Sequence, residues 1–441
     1  MKKKAHQWIL KEIVFPFGIA AAVILFVLQA FQIPSPSMEN SLKVGDFLLG
    51  LKFVYGADVP YTDVKIPGII DPKRGDVLIF KYPGDPAYPD YNKERYNHVA
   101  NLLFLGNYYW DNQPKPGNPS LINYLGPGPK DFIKRAVAES GDLIEFKAKQ
   151  LIVNDTPETK IAGEGKQTST QSNMPARDNF APMRVPAPGD NYQLDTLSLA
   201  ELHILRSLIV QENPNSIVEI DLDLMVDSVV HNEFKFDNFQ FPAYYETHVR
   251  QLEYSSAKAV LTPEGQGFLV TANMNQFVSK IKTGFVFDHH TAFGIPYGQP
   301  APAIPPKHGM SRPVAYEPVH WPYFDLLEQN VELHNTRAVS DSTGDIPNLK
   351  LISKVKIDGE VIRDYKIKDK AYFMVGDNRD NSLDSRFWGF VSRKSVKAKA
   401  FIIYFSLDHN GGNVSLTNPF SWLKLPLITR WNRIGRLIHG L

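Results

Sequence analysis

Lysines at positions 2, 3, 4 and 11 precede a stretch from Ile13 to Ile33 that carries no charge at all. A run of about 21 uncharged residues, rising 1.5 Å per residue as a helix, matches the thickness of a bilayer's hydrocarbon core. It predicts one transmembrane helix over 13–33, with Pro16 and Gly18 tolerated inside it. Basic residues before the span and none directly after it predict a cytoplasmic N-terminus and an outer location for everything beyond Ile33. The rival reading is a cleavable leader. A leader's apolar core runs to only about 7–15 residues, and the residues just past this span look like working parts that cleavage would release from the membrane. No later uncharged run is apolar and long enough to cross; the best apolar candidate, Val99 to Gly106, is far too short.

Composition narrows the chemistry. A net charge of +1 over 441 residues gives no basic field for nucleic acid. The absence of cysteine removes thiol catalysis, zinc–thiolate sites and disulfides. With 33 prolines, 29 glycines and 12% aromatics, the pattern favours strands and turns over a helix bundle.

Two turn signals lead into strand-length apolar runs: Val44-Gly45-Asp46 before Phe47-Leu48-Leu49, and Arg74-Gly75-Asp76 before Val77-Leu78-Ile79-Phe80. Residues 83–130 read as loop around an apolar and aromatic stretch, Leu102 to Trp110. Phe132 to Phe146 reads as strand, turn and strand, with Gly141-Asp142 at the turn. Ser198 and Glu201 form a capping box ahead of a helix with Leu202, Leu205, Leu208 and Ile209 on one face. Val218 to Val226 alternates like a half-buried strand. Ala292 to Pro318 is too rich in proline and glycine for regular structure. Lys354 to Ile367 suggests a hairpin about Asp358-Gly359. At the C-terminus Leu427, Trp431, Ile434 and Ile438 recur at helical spacing, with Arg430, Arg433 and Arg436 off that stripe. Two readings stand for this tail: resting on an anionic membrane surface, or docking on the body of the protein.

Three segments carry the chemistry: Ile33-Pro34-Ser35-Pro36-Ser37-Met38; Phe132-Ile133-Lys134-Arg135-Ala136-Val137 with Gly141-Asp142 following; and Gly376-Asp377-Asn378-Arg379-Asp380-Asn381-Ser382-Leu383-Asp384-Ser385-Arg386, then Phe387-Trp388-Gly389. In this order they resemble the bacterial type I signal peptidases, Ser/Lys proteases that remove signal peptides. Val44-Gly45-Asp46, Arg74-Gly75-Asp76-Val77 and Arg433-Ile434-Gly435-Arg436 fit the same pattern. The resemblance covers the first third and the last quarter of the chain.

It implies a mostly β fold: an antiparallel β catalytic domain with a large inserted α+β subdomain and one N-terminal transmembrane helix. The expected division is a cytoplasmic N-terminus (1–12), an anchor (13–33), a first catalytic part (34–154), an insertion (155–350), and a second catalytic part with the tail (351–441). The motif makes Ser37 the nucleophile. None of the three segments holds a histidine, so Lys134 is the candidate base. An ordinary lysine, pKa about 10.4, is neutral in only about one molecule in a thousand near pH 7.4. The apolar neighbours Phe132, Ile133, Ala136 and Val137 can bury the amine and lower that value.

By resemblance Ser382 orients the amine, and the Ser35 hydroxyl joins the Ser37 N–H in an oxyanion hole. Pro36 replaces a common glycine but leaves that N–H in place. Asn40-Ser41 replaces the usual Pro-Thr, and Ala138 and Ser140 stand where Gly and Pro are common. Arg135, Asp384 and Arg386 are expected to form one ion-pair cluster holding the third segment beside the dyad.

The resemblance further implies shallow pockets lined by Ile33, Pro34, Met38, Leu42, Phe132 and Ile133. They would take small residues one and three positions before the cut in a substrate added as a strand. Implied partners are signal peptides of exported preproteins, the lipid bilayer and the secretion translocon. The implied location is the bacterial cytoplasmic membrane, with the catalytic domain on its outer, periplasmic side. No cofactor, metal or nucleic acid is called for. The alternatives are a pilin-processing or repressor-type Ser/Lys peptidase, a catalytically silent membrane-bound relative, and a metal enzyme built on His289 and His290.

Overall fold

The computed structural model describes residues 10–39, 41–59, 64–83, 93–94, 128–129, 131–147, 149–158, 180–213, 216, 218–231, 234–236, 258–261, 268–271, 322–340, 344, 346–379, 382–408 and 425–438. The Leu102–Trp110 stretch, His289 and His290, and the Pro-rich stretch from Ala292 to Pro318 lie outside them.

The chain is mostly β. Along the sequence the elements used below are α1 (Phe15–Ala22), β1 (Leu28–Gln32), β2 (Asp46–Leu51), β3 (Val77–Lys81), β4 (Asp131–Glu139), β5 (Leu143–Lys147), β6 (Gln150–Val153), β7 (Thr156–Pro157), β8 (Phe180–Arg184), α2 (Leu199–Glu212), β9 (Val218–Val226), α3 (Pro322–Ser340), β10 (Leu349–Ile357), β11 (Ala371–Val375), β12 (Val391–Ser392) and β13 (Val396–Ser406). The main sheet is antiparallel, in the order β1-β2-β13-β3-β4-β11-β12. Register shifts interrupt the β2–β13, β13–β3 and β11–β4 pairings. Such bulges bend the strands and help the sheet to curl. A second antiparallel sheet, β7-β6-β5-β8, continues from the Gly141-Asp142 turn, where Gly141 has φ 96°.

The apolar N-terminal run departs from the expected helix over 13–33. Its helical part ends at Val27, as α1 flanked by π turns at Leu10–Val14 and Val23–Val27. Leu28–Gln32 is instead strand, paired along its length with β2. An uncharged run has no polar period to distinguish helix from strand. Here the open edge of β2 supplies hydrogen-bond partners, while Phe31 and Ile33 pack on Met38, Leu42 and Leu48. Among the described residues no helix is long and apolar enough to cross a membrane.

The Ser198 capping box forms, with the serine hydroxyl on the Glu201 N–H and the glutamate on the Ser198 N–H. Leu202, Leu205, Leu208 and Ile209 of α2 are all buried. They enter one core with Val137, Phe373 and Val375 of the main sheet, Ile144, Phe146, Leu151 and Val153 of the second, and Val331 of α3. The helix is also bonded to the backbone that follows the third segment: Ser207 Oγ and Gln211 Nε2 donate to the Phe390 carbonyl at 3.1 and 2.8 Å. The middle of the chain thus shares its apolar core with the main sheet. β9 pairs with β10, and β10 turns back through Asp358 and Gly359, both at positive φ, as a two-residue hairpin requires.

The C-terminal tail is not a continuous helix. It has one turn at Leu425–Ile428 and a 3-10 turn at Trp431–Arg433, and then runs beside β13. Its backbone is spoken for there: Ile403 N–H donates to Arg436 O, Gly435 N–H to Ile403 O and Ile438 N–H to Phe401 O. Leu427 and Trp431 face solvent while Ile438 packs on the core, so the helical stripe is broken up.

Candidate active site

The loop from β1 to β2 carries Ser35 and Ser37. Ser35 is extended, and Pro36 opens a one-turn 3-10 helix, Pro36–Met38, at a position where its fixed φ suits the turn. The Ser37 N–H lies in the first turn, where no carbonyl of that turn can accept it. Alternation along β4 puts Phe132 and Lys134 on one face, and the Lys134 amine lies 5.3 Å from the centre of the Phe132 ring.

The loop and strand meet at Ser37 and Lys134. Lys134 Nζ donates to Ser37 Oγ at 2.8 Å and to the Ile133 carbonyl at 3.0 Å. Both side chains are nearly closed off, Lys134 being 4% exposed and Ser37 7%. Burial pushes the Lys134 amine down from 10.5 to about 8, and the Asp384 and Asp377 carboxylates oppose this only in part. Desolvation disfavours the ammonium form more than two carboxylates at a distance restore it. Ser35 Oγ lies 3.3 Å from Ser37 Oγ.

The third segment reaches the Ser37–Lys134 contact through strand pairing. Val375 at the end of β11 is opposite Arg135 of β4, so Gly376 to Asn378 emerge beside the loop that carries Ser37. Asn378 grips that loop twice, its N–H on the Ser37 carbonyl and its side-chain amide on the Pro36 carbonyl, both at 3.1 Å. Gly376 permits the approach: a Cβ there would lie 2.1 Å from Ser382 Oγ and 2.5 Å from the Ser37 carbonyl oxygen.

The expected single ion-pair cluster is two separate pairs. Arg135 forks onto Asp377, Nε to Oδ1 and Nη2 to Oδ2, both at 2.8 Å, and also donates to the Gly75 carbonyl at 2.7 Å. Arg386 forks onto Asp384 at 2.9 Å twice. For Asp384, burial alone would raise the pKa; the Arg386 charge and hydrogen bonds and the Gly376 N–H outweigh it and hold the carboxyl below its usual range. Asp377 and Asn378 were quoted within the third segment without a role. Strand register, which sequence spacing does not give, is what assigns them.

Ser382 is not bonded to the lysine in this structure. Its hydroxyl is buried, lies close enough to Asp384 to help depress that carboxyl, and lacks a hydrogen bond of ordinary geometry. Of the expected pocket residues, Ile33, Met38 and Leu42 are core, while Pro34 is exposed and Phe132 and Ile133 are half-buried. Phe132 stacks on Tyr82 with ring centres 4.4 Å apart.

The sequence pattern of the family described as "Signal peptidase, peptidase S26" matches residues 6–195 and 328–405. The protein "Signal peptidase I" of Aquifex aeolicus is 50% identical over 90% of this chain and 84% of its own length. The chain belongs to the S26 signal peptidase family. Other relatives match over shorter stretches. "Signal peptidase I" of Pseudomonas aeruginosa is 52% identical over 61 residues, 14% of this chain and 22% of the relative. That of Haemophilus influenzae is 34% identical over 138 residues, 30% of this chain and 35% of the relative. The chain therefore spans less than a quarter of the Pseudomonas relative's length and about a third of the Haemophilus one. The S26 match includes the loop with Ser35 and Ser37, the strand with Lys134 and the whole third segment.

Proposed function

We propose that this S26 protein is a serine endopeptidase that removes signal peptides from exported preproteins, with Ser37 as nucleophile and neutral Lys134 as general base. The observation that carries the reading is the 2.8 Å contact between a buried amine and a buried hydroxyl. A neutral Lys134 takes the Ser37 proton as Oγ attacks the scissile carbonyl, and returns it to the departing amine. Water, deprotonated by the same lysine, then releases the acyl group. The Ser37 N–H and the Ser35 hydroxyl receive the developing oxyanion. Ser382 is assigned a supporting part beside Asp384.

The substrate enters as an added strand and cuts follow small residues. Pro34, Phe132 and Ile133 offer the accessible apolar surface, and Ile33, Met38 and Leu42 belong to the core against which Ile133 packs. The catalytic unit comprises 34–154 and 351–441, with 155–350 inserted between them.

The full-length protein in detergent is expected to convert a labelled preprotein to one mature product whose N-terminus follows a small residue. Lysine must be neutral to act, so kcat/KM of the free enzyme should rise with pH through a midpoint near 8. Failure to cut any preprotein would sink the assignment. A rate that climbs only near 10.5 would sink the role of Lys134.

The same reading includes a membrane anchor formed by the N-terminal apolar run, with the cytoplasm at the lysine side and the catalytic domain outside. What supports it is the exposure of Phe15, Phe17 and Ile19, large apolar side chains that the protein leaves uncovered. Protease added to intact spheroplasts should cut the chain beyond Ile33. Protection of that part until lysis would reverse the orientation, and release of a soluble chain beginning near Ser35 would favour a cleaved leader.

A further inference from the structure

A third buried Arg–Asp pair, Arg433 with Asp46, approaches the loop of Ser37 from the other end of the chain. Asp46, fully buried at the start of β2, accepts from Arg433 Nε at 2.9 Å and Nη2 at 2.5 Å. It also accepts from Ser406 Oγ at 2.6 Å and from the Lys43 N–H at 2.7 Å. Arg433 is itself only 5% exposed. Its Nη2 reaches past Asp46 to the Ser41 carbonyl at 3.0 Å.

Ser41 is also where the Arg135–Asp377 pair arrives. Its hydroxyl donates to Asp377 Oδ2 at 2.5 Å and accepts from Arg135 Nη2 at 3.4 Å. Its N–H closes the turn that follows the nucleophile, on the Met38 carbonyl at 3.2 Å. Every polar group of Ser41 is therefore engaged: the hydroxyl by one ion pair, the carbonyl by the other, the N–H by the loop that carries Ser37. The residue after Asp377 is Asn378, which holds the carbonyls of Pro36 and Ser37.

We propose that Ser41 is a positioning residue for the nucleophile, the point at which two buried Arg–Asp pairs from distant parts of the chain fix the loop that presents Ser37 to Lys134. Through Arg433 the C-terminal segment becomes one of the two jaws on that loop. The proposal rests on the Ser37–Lys134 reading above. Ser41 itself has no proton to move in the reaction and acts through geometry. A hydrogen bond to an ionised carboxylate is among the stronger kinds, and small displacements of a reacting atom are costly in rate.

The test uses the full-length protein in detergent with a preprotein substrate. Ser41→Ala should lower kcat about tenfold or more, with KM changed by less than about twofold. The midpoint of the pH profile should stay in place, because no charge near Lys134 is removed. Ser41→Thr, which keeps the hydroxyl and the carbonyl, should restore kcat. In a crystal structure of Ser41→Ala the Ser37–Lys134 contact should be longer than 2.8 Å. Arg433→Lys keeps the charge but loses the fork. Combined with Ser41→Ala it should be no worse than the poorer single variant, since both act on one loop.

Wild-type kcat in Ser41→Ala, a Thr variant as poor as the Ala one, or a lower melting temperature with normal turnover would each overturn the proposal. Strictly additive effects would overturn the part assigned to the C-terminal segment. Ser37→Ala is measured alongside: if it is active, the dyad reading itself fails, whereas an inactive Ser37→Ala with an undiminished Ser41→Ala overturns only the role of Ser41.

Discussion

Ser37→Ala and Lys134→Ala are each expected to reduce preprotein cleavage by about 10³-fold or more, to near background. The first removes the attacking oxygen. The second removes the acceptor of its proton and leaves Ser37 without the partner that bonds it at 2.8 Å. Lys134→Arg should do no better than Lys134→Ala, since a guanidinium stays protonated at any working pH. The two alanine variants should still fold. Losing the buried amine relieves a desolvation cost, which the fall of the Lys134 pKa from 10.5 to about 8 expresses as about 3–4 kcal/mol in the charged form. The sign follows from proton counts: between about pH 8 and 10.5 the unfolded chain binds the extra proton, so this lysine favours unfolding below pH 8 and ceases to do so as pH rises. Substantial activity in any of the three variants would remove the dyad from the mechanism.

Arg386→Met should be the most damaging change to stability among the groups around the site, at about 3–5 kcal/mol in a denaturant titration. It leaves Asp384 ionised, wholly buried and without its fork of two 2.9 Å hydrogen bonds. The remaining donors to that carboxylate include the Gly376 N–H at 3.1 Å and the Arg386 N–H at 3.2 Å, neither of which supplies a charge. Unpaired, the carboxylate would also act more strongly on Lys134, whose pKa it already raises. Any cleavage that survives should therefore rise at a higher pH than in the wild type. A loss below about 1 kcal/mol would mean that water or another donor reaches Asp384 without difficulty.

Much of this site is legible in the sequence because its parts are short and local. Ser37 follows a motif, Lys134 stands among apolar strand neighbours that foretell its burial, and Gly376 to Arg386 is an unbroken segment. The partners are less legible. Arg135 had three acids to choose from in the third segment, Asp377, Asp380 and Asp384, and was expected beside Asp384; the opposition of Val375 and Arg135 across two strands selects Asp377. At the N-terminus, Leu28–Gln32 is as uncharged as the helical residues from Ile13 before it, and the free edge of β2 makes it a strand. At the C-terminus, residues at helical spacing form no helix, because Arg436 and Gly435 trade backbone hydrogen bonds with Ile403 of β13. Arg433 lies off the apolar stripe of the expected helix, yet it is buried on Asp46. In each case a contact made far away in the chain overrides the local pattern.

The place of β13 in the main sheet sets an order in time. This strand, Val396–Ser406, lies between β2, which follows the loop of Ser37, and β3, which pairs with the strand of Lys134. Ser406 meets Asp46 across 360 residues of sequence. On a growing polypeptide, the strands on either side of that gap are made long before the one that joins them. Pairings so remote form late and slowly. A partly synthesised chain thus holds Ser37 and Lys134 without the scaffold that brings them together, and on the proposed mechanism it stays inert toward its neighbours and itself until β13 is in place.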